Sequence, residues 1–127
     1  MISALMKRDM DLIRAILLEA ESNIHGFAPQ TQMEIPGYTQ EEINYHIFLL
    51  GQAGLATIVE LTDFSDQNKS PRARIINLTW QGYEFLDLAR ENHTWNTAKD
   101  TLNKIGGASL QILIAVLTGI INKKLGL

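Results

Sequence analysis

Three histidines, His25, His46 and His93, are the residues of this sequence best suited to bind a metal or move a proton. They lie far apart, and none forms a His-x-x-x-His pair, the spacing that sets two ring nitrogens on one helical face for zinc. Glu41 and Glu42 are neighbouring carboxylates, but adjacent residues of a helix point about 100° apart and cannot share a substrate. Gly51-Gln-Ala-Gly54 and Gly106-Gly107 match no phosphate-cradling loop, and no serine stands in a recognisable pattern with a base. The chain has no cysteine, which removes disulfides, thiolate nucleophiles and cysteine-metal sites. These failures point away from an enzyme: no catalytic residue, no metal and no cofactor is expected. His46 falls near the middle of an apolar helical face. It reads either as a ligand or pH-sensing residue or as a core histidine bonded to nearby polar groups. With no second ligand in view, the core reading is preferred.

Side chains suited to nucleic acid lie in two places. Gln40 and Asn44 carry amides that can pair with adenine, and Lys69, Arg72 and Arg74 suit phosphates. If the strand holding the arginines alternates, Arg72 and Arg74 share one face while Ala73 and Ile75 take the other. Lys7 and Arg8 are candidates to extend this stripe. Against it, the helix from Thr39 to Ala53 has neither Arg nor Lys, and Glu41 and Phe48 lie on its presented side. Fourteen acids against eleven bases leave a net charge of −3 and a pI near 5.5, whereas a dedicated nucleic-acid-binding domain is often basic. A local basic stripe can still act within an acidic whole, and a solvated hairpin tip accounts for the same basic residues.

The elements that must position these groups follow from periodicity. A first helix is expected over about Lys7 to Ser22, with Leu12, Ile13, Ile16, Leu17, Ala20 and Ile24 at helical spacing and Asp9 and Asp11 near its positive end. Met33, Glu34 and Ile35 suggest a short strand before Pro36-Gly37. Thr39 with Glu42 forms a capping box for a second helix. Its core side carries Ile43, His46, Ile47, Leu49, Leu50 and Ala53, opposite Gln40, Glu41, Asn44, Phe48 and Gln52. Two β-branched runs, Leu55 to Thr62 and Arg72 to Thr79, form a hairpin around a polar tip at residues 63–71. Thr79 caps the next helix, a further helix covers about Thr94 to Ile105, and Ser109 caps the last, which Gly126 closes. Trp80 and Trp95 are expected to be hydrophobic anchors.

The last helix is apolar around most of its circumference. Leu110, Leu113, Ile114, Leu117 and Ile121 form one stripe, widened by Ile112, Val116 and Ile120. Such a helix is costly on the surface of a monomer. Burial inside the fold or packing between two copies both relieve that cost, and a homodimer is preferred. Its narrow polar strip lacks the basic face of helices that lie on membranes.

A chain of 127 residues with 46% hydrophobic content suits one globular domain. The N-terminus has no apolar leader core and the longest apolar run is too short to span a bilayer, so no membrane span is expected and the cytoplasm is the expected location. The fold class is mainly α with a small antiparallel β-hairpin (α+β). It reads as a winged helix-turn-helix domain over 1–91 with a C-terminal helical extension over 92–127, in one compact domain. The stretch between Pro29 and Thr39 leaves little room for the middle helix usual in that fold.

Residues 6–14 (MKRDMDLIR), 45–55 (YHIFLLGQAGL) and 78–87 (LTWQGYEFLD) resemble a bacterial and prophage family of uncharacterised proteins. Trp95-Asn, Gly106-Gly107 and the closing residues 123–127 continue the resemblance. It implies a winged-helix-like fold and transfers no functional residue. Two readings of function follow. One is a nucleic-acid-binding or transcription-regulatory accessory protein using Gln40, Asn44, Lys69, Arg72 and Arg74. The other is a protein-interaction module that has lost DNA contact and works through Phe48 and the last helix. The first leads slightly, on the usual employment of the fold.

Overall fold

The computed structural model describes residues 7–23, 26–61, 65, 71–107 and 109–127. Among these residues are five helices and one antiparallel hairpin: α1 (Met10–Ser22), α2 (Gln40–Gln52), β1 (Ala56–Glu60), β2 (Ala73–Leu78), α3 (Trp80–Ala89), α4 (Asn92–Asn103) and α5 (Leu110–Leu125). The architecture is a mostly helical α+β fold. It divides into two compact units, the first ending at Tyr83 and the second beginning at Glu84, so the division falls inside α3.

α1 begins at Met10 rather than near Lys7, because Asp9 acts as its cap and accepts a bond from the Leu12 amide. Its buried face is Leu12, Ile13, Ile16, Leu17 and Ala20. At its far end the buried Gln30 side chain donates to the Ala20 carbonyl at 3.2 Å, a terminal acceptor that also takes the Asn23 amide at 3.3 Å. Ile24 lies outside the described residues.

The expected strand at residues 33–35 joins no ladder. A turn follows immediately, with the Tyr38 amide bonded to the Ile35 carbonyl and Gly37 at φ 89°, and Pro36 has no amide to donate. Contact with the sheet is made earlier instead. The Gln30 amide donates to the Ile75 carbonyl at 2.7 Å, and the Asn77 side chain donates to the Gly26 carbonyl at 2.9 Å.

The capping box of Thr39 and Glu42 starts α2, which buries Ile43, His46, Ile47 and Leu50 while Ala53 is exposed. α2 packs on α1 and on both strands. In the hairpin Thr57 faces Asn77 and Ile58 faces Ile75, so Ile76 is the extra residue of a bulge. The bulge brings Ile75 and Leu78, three residues apart, to buried positions. Of the polar tip only Ser65 and Pro71 lie within the described residues.

The passage from β2 into α3 is tightly built. The Thr79 hydroxyl donates to the Gly54 carbonyl at 2.6 Å and accepts from the Gly82 amide at 3.0 Å. A Cβ on Gly82 would lie 1.9 Å from the Leu55 carbonyl oxygen.

In the second unit Glu91 caps α4, which starts at Asn92, two residues before the expected Thr94. Trp95 is buried as expected, with its ring edge-on to Phe85 at 6.2 Å. Ser109 caps α5 and Gly126 closes it in the left-handed conformation at φ 77°. α5 packs on α4. The Lys124 ammonium donates to Glu91 at 3.0 Å and to the buried Thr94 hydroxyl at 2.7 Å, tying the end of α5 to the start of α4. Bonds from the Thr94 hydroxyl, from Lys124 and from the Thr94 and His93 amides hold the Glu91 carboxyl down at about 2.

Gly82→Ala should destabilise the protein by at least the ~1–3 kcal/mol typical of overpacking, because its contact is main chain and cannot rotate away. Urea denaturation checks this, and a variant as stable as the parent would mean that the 54–55 turn yields.

Candidate nucleic-acid interface

The presented side of α2 is half-buried at Gln40, Asn44 and Phe48 and exposed at Glu41 and Gln52. The Gln40 amide donates to the Asn44 side-chain oxygen at 3.2 Å, so the two candidate base readers engage each other. Glu41 and Glu42 occupy the first turn, and their charge offsets the positive helix end that would otherwise attract a phosphate.

Behind this surface α2 is anchored by His46, 2% exposed. Its Nε2 accepts from the Asp9 amide at 2.9 Å, and its Nδ1, 2.8 Å from the Glu42 carbonyl, is then the nitrogen that carries the proton. The core reading of this histidine matches the arrangement. Asp9 also accepts from the Tyr38 hydroxyl at 3.0 Å. Burial, followed by that bond and by the charges of Asp9, Asp11 and Glu42, pushes the Tyr38 phenol up to about 12.

On the hairpin Ala73 and Ile75 are buried, while Arg72 is exposed and Arg74, opposite Val59, is half-buried. Arg72 donates through Nη2 to the Leu61 carbonyl at 3.1 Å, and its own carbonyl accepts from the Leu61 amide at 2.7 Å. It therefore fastens the hairpin as well as offering charge. Lys69 lies outside the described residues. Lys7 and Arg8 are exposed just ahead of α1.

The candidate interface residues of α5 separate into two sets. Leu113 and Leu117 are buried within the chain, whereas Leu110, Ile114 and Ile121 are half-buried. The outward positions are Gln111, Ile112, Ala115, Gly119 and Asn122, followed at the end of the helix by Lys123, Lys124 and Leu125. Trp80 departs from the expected anchoring role: it is 77% exposed, and Tyr83 beside it is 38% exposed. Gly82 supplies the reason, since its contact with Leu55 turns that side of α3 inward and leaves the aromatic residues outside. The sequence held one sign of this, a glycine between the two rings.

Residues 7–109 match a family described as hypothetical protein (DUF2513). This chain belongs to the DUF2513 family. An uncharacterised protein of Haemophilus influenzae is 42% identical to it over 98 residues, which cover 76% of this chain and 79% of the relative. No solved structure matches. In this DUF2513 chain the family match takes in α1 to α4 and the hairpin, and stops at Ser109, the cap of α5. Among the described residues no group of His, Asp and Glu is placed to hold a metal, and no helix is long and apolar enough to cross a membrane.

The Tyr38 bond gives a pH signature. Its phenol titrates higher when folded than the ordinary value of 10, so its contribution is complete below pH 10 and is lost as pH rises through about 12. Tyr38→Phe should be less stable than the parent at pH 8, and the gap should close between pH 10 and about 12. Chemical denaturation along that pH series checks it.

Proposed function

We propose that this DUF2513 protein is a non-enzymatic, cytoplasmic winged-helix protein of bacterial or prophage origin. Its role would be that of a nucleic-acid-binding or transcription-regulatory accessory protein, with the hairpin holding duplex phosphates. The order helix, extended segment, helix, hairpin, helix supports the winged-helix reading, with α2 in the recognition position. So does the bond from the Gln30 amide to the Ile75 carbonyl, which brings the segment after α1 to β2. The observation that carries the functional reading is the strand that sends Ala73 and Ile75 into the core and Arg72 and Arg74 to the other side. A guanidinium has five donors and suits phosphate.

α2 is poorly equipped to read bases, since Gln40 and Asn44 bond to each other and the helix has no cation. Binding should therefore follow the phosphate backbone more than base sequence. Fluorescence anisotropy of a labelled random duplex should show binding that weakens as salt rises. Three phosphate contacts, from Lys69, Arg72 and Arg74, would set a slope of about −3 in log K against log salt. Arg72→Ala with Arg74→Ala should remove the signal, and no binding by the parent at low salt would overturn the reading.

The acidic first turn of α2 favours a second reading, a protein-interaction module in which Glu41, Phe48 and Gln52 face a partner. Under either reading we propose a homodimer through α5. Leu110, Ile114 and Ile121 border the contact, and Ile112 and Ala115 lie within it, since Leu113 and Leu117 are used inside the chain. Ala115→Glu should then shift a dimer to a monomer in light scattering. A parent chain that is monomeric across a dilution series removes the dimer.

A further inference from the structure

We propose that the groove at the start of α2 takes an arginine side chain from a segment of a protein partner. The groove holds about 530 Å3 and is bounded by Glu34, Ile35, Pro36, Tyr38, Gln40 and Ile43. All six belong to the first compact unit. Bonds on either side fix its walls. The Tyr38 amide is bonded to the Ile35 carbonyl at 3.2 Å, and the Tyr38 hydroxyl donates to Asp9 at 3.0 Å. The capping box of Thr39 and Glu42 sets the first turn of α2, from which Gln40 and Ile43 project. A groove formed before the partner arrives lowers the ordering cost of binding.

The chemistry of the lining selects the occupant. Glu34 is exposed, and its carboxylate bonds to no other described residue. The Gln40 side chain gives its N–H to Asn44, which leaves its amide oxygen without a partner among the described residues. Both uncommitted groups are acceptors, so their complement is a donor. Glu41, beside Gln40 in the first turn of α2, adds a second exposed carboxylate. Burial, the bond to Asp9 and the carboxylate charges of Asp9, Asp11 and Glu42 together push the Tyr38 phenol up to about 12, so the field on this wall is negative. A guanidinium brings five donors and a positive charge, and its methylene stem suits the apolar Ile35, Pro36 and Ile43. A phosphate would meet acceptors and a field of its own sign. Neither Arg72 nor Arg74 takes part, so the groove stands or falls separately from nucleic-acid binding.

The test is an NMR titration of the isotope-labelled full chain with a glycine pentapeptide carrying one central arginine. The same peptide with citrulline, which keeps the shape and loses the charge, is the control. Saturating shifts at residues 34–43 with arginine, and binding about fivefold weaker with citrulline, are the expected result. Glu34→Gln changes an exposed side chain with no bond to a described residue, so it leaves the fold intact. It should weaken arginine binding about two- to fivefold, the reach of an exposed ion pair. No shift at residues 34–43, equal binding of the two peptides, or a Glu34→Gln variant that binds as the parent does would overturn the proposal. So would a DNA duplex that shifts residues 34–43, or shifts there that follow protein concentration without peptide, since these assign the groove to nucleic acid or to a second copy.

Discussion

The imidazole of His46 joins two helices through main-chain atoms alone. One nitrogen takes the Asp9 amide, the last residue before α1, and the other meets the Glu42 carbonyl one turn earlier in α2. In a buried setting both bonds matter, because an unmatched polar atom there costs free energy that a surface atom does not. Asp9 in turn spends its carboxylate on capping α1 and on the Tyr38 hydroxyl. The start of α1, the turn before α2 and the middle of α2 thus share one connected set of bonds.

A second constraint acts where the sheet hands over to α3. Thr79 and Gly82 bring the helix against the main chain of the 54–55 turn, closer than any side chain would allow. Close approach on one side of a helix dictates what the other side can do. Here it leaves Trp80 and Tyr83 in water, although their size alone would favour burial. Trp95, of the same residue type, is closed in and meets Phe85 edge-on.

The candidate interface shows how the same side chains serve structure and recognition. Gln40 and Asn44 have the chemistry to read a base, but at i and i+4 on one helix they also have the spacing to bond to each other. Arg72 has the charge to meet a phosphate and also ties the loop end of the hairpin through Leu61. α5 divides in a similar way. Leu113 and Leu117 serve the fold, and the outward side carries Ile112, Ala115 and Gly119 to the surface together with Gln111 and Asn122.

Local signals settled much of this protein. The capping box at Thr39, the serine cap at Ser109, the final Gly126, the apolar spacing along α1 and the alternation around Ala73 and Ile75 were all legible, because caps and periodicity act over one or two turns. Boundaries that depended on which residue becomes the cap, Asp9 for α1 and Glu91 for α4, moved by two or three residues. Tertiary structure decided the rest. A bulge at Ile76 set which strand residues face inward, a turn at Pro36-Gly37 kept residues 33–35 out of the sheet, and the two candidate readers on α2 engaged each other. The fates of Trp80 and Trp95 depended on what each met: a main-chain contact at Gly82 turned one outward, and Phe85 received the other. Packing partners distant in sequence make that choice, and the one local sign of it is the glycine between Trp80 and Tyr83.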